Sequence, residues 1–202
     1  MRTALLKRRS DLVFSVSATT RASRPGETEG RDYRFIDRET FESLVRRGDL
    51  LEWAEVHGEL YGTPAENLRK ARDVGVHLLL DIDVQGARQL RRLEPAAVMI
   101  FLLPPDRASL VERLQGRGSE SVGSLRRRLR SALAELESVE SFDYAVVNDD
   151  LEETLDVVEA IITAERHSVG RLSTETRSRV DELGDSLNRM LEASEEQGAE
   201  KR

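Results

Sequence analysis

The chain has no cysteine, so disulfides, thiolate chemistry and cysteine–zinc sites are excluded. Lysine is nearly as scarce. Of 31 basic residues only Lys7, Lys70 and Lys201 are lysines, and the rest are arginines. Histidine is limited to His57, His77 and His167, which share no metal-site spacing. No apolar run approaches the roughly 20 residues of a membrane-spanning helix. Residues 1–9 hold too short an apolar stretch for a signal peptide. These absences read as a cytoplasmic protein with no membrane partner. A net charge of −7 argues against a nucleic-acid partner, because nonspecific binding to a polyanion needs a basic surface.

What remains is 202 residues, 39% hydrophobic and 34% charged, enough for one domain with its own core. Arginine brings a planar fork that grips phosphate oxygens in pairs. Genomic codon bias accounts for most of these arginines equally well.

Along the chain, residues 12–16 and 33–36 read as short strands. A helix is expected at 38–47, capped by Asp37 and stopped by Gly48. A hairpin is expected around Gly58-Glu59. Thr63 reads as an N-cap and Pro64 as the first turn of a helix reaching residue 74. The apolar run 76–81 has the pattern of a parallel strand covered on both faces. Helix, strand, helix and loop follow at 84–93, 97–103, 106–114 and 115–123. A charged helix at 125–139, a strand at 144–147 and a helix at 151–166 complete the domain. Strands alternating with helices imply βαβ units and an α/β parallel sheet. In the tail, Val180, Leu183, Leu187 and Met190 recur at helical spacing, and beyond Glu192 the polar chain reads as disordered.

Five segments carry chemistry. Residues 15–27, SVSATTRASRPGE, place Ser17, Thr19, Thr20, Arg21 and Arg24 in one loop. Two arginines three apart among hydroxyls can hold a phosphate dianion; a solvated basic turn is the bland alternative. Residues 30–35 add Tyr33, a further hydroxyl or simply a packed aromatic. Residues 50–64 place Glu52 among apolar neighbours, where a carboxylate needs donors. The guanine edge, with N1–H beside the N2 amino group, offers such a donor pair. Trp53 in this segment reads as core. In residues 78–87, LLLDIDVQGA, Asp81 and Asp83 follow an apolar strand, where ligands of open α/β sheets gather. Asp81 is placed to act on a magnesium shell and Asp83 to meet a base or ribose; helix capping explains one of them as well. Lastly, Arg113, Arg117 and Arg128 surround a flexible loop, as a cation-delivering lid would. A charged surface helix accounts for Arg126 and Arg127.

In this order, the S-x-T-T-R-x-x-R-x-G-E loop, the E-W-A and Y-G-T segments, L-D-I-D-x-Q-G and the final V-N-D-D resemble the guanylate kinase family over residues 10–166. The resemblance implies a P-loop nucleoside-monophosphate-kinase fold, a β-rich GMP-binding insert over about 33–62 and an arginine-bearing lid over about 115–123. Together these make a domain over 1–167, followed by a tail over 168–202. It implies transfer of phosphate from ATP, with Mg2+, to GMP. Arg21, Arg24, Tyr33 and Tyr61 would hold the GMP phosphate; Ser17, Glu52, Thr63 and Asp83 would read the guanine. Asp81 would sit near magnesium, Arg117 and Arg128 would close over ATP as catalytic cations beside Arg21, and Asn148 would lie near the adenine. Leu60 stands where the family often has a second aromatic. Gly123 makes the lid loop looser than usual.

The resemblance also implies a central first strand and a phosphate loop, G-x-x-x-x-G-K-[ST], and no such motif occurs in the sequence. That strand belongs between 76–81 and 97–103. The expectation is a start lying upstream of Met1, with little turnover from the chain as written and a working kinase from the extended form. Two other readings stay open: a guanylate-kinase-like protein-binding module, and an inactive GMP binder. The tail could pair subunits into a homodimer.

Overall fold

Alternating strands and helices are what the computed structural model contains over the residues it describes, 1–56, 58–115 and 122–199. In chain order they are α1 (Arg2–Arg8), β1 (Leu12–Phe14), β2 (Ala18–Thr19), β3 (Arg34–Phe35), α2 (Arg38–Arg47), β4 (Leu50–Val56), β5 (Glu59–Pro64), α3 (Ala65–Asp73) and β6 (His77–Leu79). There follow α4 (Val84–Leu93), β7 (Ile100–Leu103), α5 (Arg107–Gln115), α6 (Val122–Leu136), β8 (Tyr144–Val147), α7 (Leu151–Arg166) and α8 (Thr174–Ala199). Contacts divide the chain into two units, Met1–Asp156 and Val157–Arg202.

The first unit has an α/β frame. β1 pairs in parallel with β6, and β7 in parallel with β8. Among the described residues no strand joins the two pairs. The parallel sheet read from the sequence is therefore present as two hydrogen-bonded halves. The family resemblance gives a further strand the place between β6 and β7.

The remaining strands form a separate mixed sheet in the order β3-β2-β5-β4. Its hairpin, β4 and β5, pairs Glu52 with Thr63, Ala54 with Tyr61 and Val56 with Glu59. Side chains on a strand alternate between faces, so these six residues share one face. The opposite face carries Leu60, which packs with Ala18 beneath Phe41 of α2. α2 forms there because Asp37 accepts a bond from the Thr40 amide at 2.7 Å and Gly48 closes the helix in the left-handed region. Burying Phe41 completely contributes roughly 1.5–3 kcal/mol.

Three local readings change. Thr63 does not cap α3: it lies in β5, Pro64 takes the cap position with no side-chain bond, and the Thr63 hydroxyl turns to Glu52 instead. Trp53 is not core but 41% exposed, on the face opposite Glu52 where it pairs with Gly62. Gln89 of α4 bonds both backbone groups of Trp53. In the second unit, α8 continues to Ala199, past the expected stop at Glu192.

Candidate functional site

The loop that leaves β2 carries the arginines. Thr19 Oγ1 accepts from the Arg21 amide at 3.1 Å, and Thr20 Oγ1 donates to Glu59 at 2.7 Å while accepting from the Leu60 amide at 2.9 Å. These bonds fix the loop to the hairpin. Arg21 then donates from Nε to the Tyr61 hydroxyl at 3.2 Å, and its guanidinium lies 5.4 Å from the Tyr33 ring and 5.8 Å from the Phe35 ring. Tyr33 meets Tyr61 edge to face at 5.9 Å.

Around this point opens a cavity of about 400 Å³ lined by Arg21, Arg24, Val56, Glu59, Tyr61, Arg127 and Arg128. Four arginines and one carboxylate give it a positive lining suited to phosphate oxygens. Arg128 donates to the Leu114 carbonyl at 2.7 Å, tying the end of α5 to α6. Burial pushes the Tyr33 hydroxyl up, helped by the nearby Tyr61 and Asp81 groups, so Tyr33 stays a neutral hydrogen-bond donor. The Glu27 bond, more than any other contact, holds Arg21 above its ordinary value, so it remains a cation.

A second cluster lies one step along the same hairpin face. Thr63 is two residues from Tyr61, so about 6.8 Å separates them along β5. Thr63 donates to Glu52 Oε1 at 2.6 Å. Glu52 is only 5% exposed. Burial pushes its carboxyl up, the Thr63 bond pulls it back, and the charge of Asp83 pushes it up again. Asp83 caps α4, accepting from the Gln85 and Gly86 amides at 3.0 and 2.9 Å. Gly86 has no side chain where the Glu52 carboxylate lies; a Cβ there would stand 2.9 Å from Glu52 Cδ. Acid and arginines thus sit at two ends of one face, the arrangement a nucleotide with a donor-bearing base would fill.

The other expected residues are placed as follows. Ser17 is half-buried beside β2, and its carbonyl accepts from the Arg34 amide at 2.9 Å. Asp81 is exposed just past β6 and acts electrostatically on Tyr33. Among the described residues no group of three His, Cys, Asp or Glu could hold a metal ion. Asn148 lies at the end of β8, its amide bonded to the Leu103 carbonyl and its own carbonyl to Arg113. Arg117 lies outside the described residues.

Sequence reasoning missed four members. Arg127 was assigned to a solvated surface, yet it lines the cavity with Arg128. Glu135 of α6 is surface-exposed, yet its carboxyl is pushed up by desolvation and then by Asp83. It stands seven residues from Arg128, two helical turns along one face, which is a usable signal. Glu27 acts through Arg21 and Arg24, and Gly86 makes room for Glu52.

The fold defines an α/β nucleotide-binding protein. The guanylate kinase family model matches residues 1–165, and the chain belongs to that family. It is 46% identical over 160 residues to guanylate kinase of Rhodococcus jostii, covering 78% of this chain and 77% of that protein. It is 49% identical over 164 residues to guanylate kinase of Thermus thermophilus, covering 81% and 74%. The crystal structure of guanylate kinase from Anaplasma phagocytophilum superposes with a TM-score of 0.70 at 41% identity, covering 84% of this chain and 82% of that one.

Proposed function

We propose that the protein phosphorylates GMP to GDP at the expense of ATP, and that the hairpin face from Glu52 to the arginine cavity is its GMP site. One observation carries this: a buried carboxylate held by Thr63 and a four-arginine cavity share one face of the hairpin. Ionised Glu52 accepts guanine N1–H and the N2 amino group together, with Asp83 beside it. Arg21, Arg24, Tyr33 and Tyr61 hold the GMP phosphate, and its oxygen attacks the γ-phosphorus of ATP in line. Arg128, with Arg127 next to it, stabilises the charge spread over the transferring phosphoryl group. Asp81 would hold the water shell of a bound Mg2+, which would neutralise charge on the ATP phosphates. Asn148 is the residue we assign to the adenine end. No covalent intermediate on the protein is needed.

We also read the exposed seam of α8, with Val180, Leu183 and Leu187 each about 60% exposed, as a homodimer contact. The test of the main reading is calorimetry with GMP followed by a coupled ADP-release assay with MgATP. GMP binding with ADP release supports the kinase. Binding with no release favours an inactive binder, and no binding favours a protein-binding module.

A further inference from the structure

The segment Arg24-Pro25-Gly26-Glu27 is built as a turn. Proline presets the second position, and Gly26 takes φ 89° at the third, which a side chain would resist. The Glu27 amide donates to the Arg24 carbonyl at 3.0 Å and closes the turn. This folds the Glu27 side chain back over the loop. Its carboxylate accepts from the Arg24 amide at 2.7 Å and from Arg21 Nη2 at 2.8 and 3.0 Å. Arg21 thereby has Nε on Tyr61, Nη1 on the Ala22 carbonyl at 2.6 Å and Nη2 on Glu27. Both arginines line the cavity, and Glu27 does not. The acid holds two lining arginines without itself lining the cavity.

We propose that Glu27 is the positioning residue for the phosphate arginines, orienting the Arg21 fork and the Arg24 backbone before a nucleotide arrives. The proposal rests on the GMP reading of the site. An arginine side chain free in solvent samples many rotamers and must give them up on binding; one already held loses less. The pair is mutually reinforcing, since the Arg21 bond, followed by that of the Arg24 amide, holds the Glu27 carboxyl below its ordinary range. Glu27 therefore stays ionised, and its grip persists, well into mildly acidic solution.

The test is calorimetric titration of the full chain with GMP and with guanosine, for the unsubstituted protein, Glu27→Ala, Glu27→Gln, Arg21→Ala and the Glu27→Ala/Arg21→Ala double variant. Guanosine lacks the phosphate, so it reports the base end and the fold alone. Glu27→Ala is expected to weaken GMP by roughly 10–100-fold while guanosine changes less than about twofold. Glu27→Gln, which keeps one acceptor, falls between. In the Arg21→Ala background the Glu27→Ala factor shrinks to under about a third. Unchanged or tighter GMP binding in Glu27→Ala overturns the proposal, tighter binding meaning that the acid competes with phosphate. Equal losses for GMP and guanosine, or an undiminished factor without Arg21, overturn it too. If the unsubstituted chain binds no GMP, the site reading falls and the proposal with it; if it binds and the variants match it, the proposal alone falls.

Discussion

Replacing Gly86 with alanine puts a methyl group where the Glu52 carboxylate now lies. The new carbon would stand 2.9 Å from Glu52 Cδ and 3.4 Å from Cγ, and it would overlap Oε2. Carbon atoms prefer about 3.5–4.0 Å, so the carboxylate must retreat by roughly 1 Å. It has little freedom to do so, being buried and bonded to Thr63. Two effects oppose each other. Alanine is favoured over glycine within a helix by about 1 kcal/mol, and Gly86 lies in the first turn of α4. Overpacking costs about 1–3 kcal/mol. The net change in stability is expected between neutral and about 2 kcal/mol destabilising. GMP affinity suffers more, because the displaced acid loses its charge-assisted bonds to the base, about 1.5–3 kcal/mol or roughly 10–100-fold. Thermal unfolding and GMP calorimetry read the two quantities separately. The control is the same substitution in a Glu52→Ala background, where the clash is gone and alanine should stabilise by about 1 kcal/mol. A Gly86→Ala protein that binds GMP within twofold of the parent and is more stable than it would refute the reasoning.

The raised Glu52 carboxyl gives opposite pH signs for stability and binding. Its folded pKa lies above the unfolded value, so between the two the folded state holds a proton that the unfolded chain releases; stability falls as pH rises through that window. GMP binding uses the ionised acid and weakens as pH falls through the raised value. Parallel pH series of melting temperature and GMP affinity check this, and Glu52→Gln should flatten both curves. Thr63→Val keeps the shape but strips Glu52 Oε1 of its donor, so the protein should lose about 1–3 kcal/mol at neutral pH by thermal unfolding. Deleting residues 168–202 should lower the mass measured by light scattering to that of a monomer if α8 pairs two copies; an unchanged mass removes that reading.

Much of the site was legible because local rules and site chemistry disagree there. β4 runs Leu-Glu-Trp-Ala, with the acid buried and the tryptophan 41% exposed, an inversion of ordinary patterning. The sequence flagged Glu52 by its apolar neighbours but kept Trp53 inside by habit of composition. Thr63-Pro64 carries a good capping signal, and the strand pairing with Glu52 overrode it. The helices at Arg38–Arg47, Val84–Leu93 and Leu151–Arg166 were readable from caps and spacing. What lay beyond reach were contacts between distant positions. Gly86 makes room for an acid 34 residues earlier, and no local signal records it. Glu27 was visible as a motif letter, and Pro25-Gly26 as a turn, but only the folded turn shows that the acid returns to Arg21.

The central claim is that a buried acid reads guanine while arginines hold the phosphate. Titrating the purified chain with GMP and with AMP tests it most directly. Adenine presents no N1–H and amino pair to Glu52, and a site built to bond such a pair rejects a base without it strongly. The account predicts GMP binding at least on the order of 100-fold tighter than AMP, with Glu52→Gln eroding the difference. Equal affinities for the two nucleotides would contradict it.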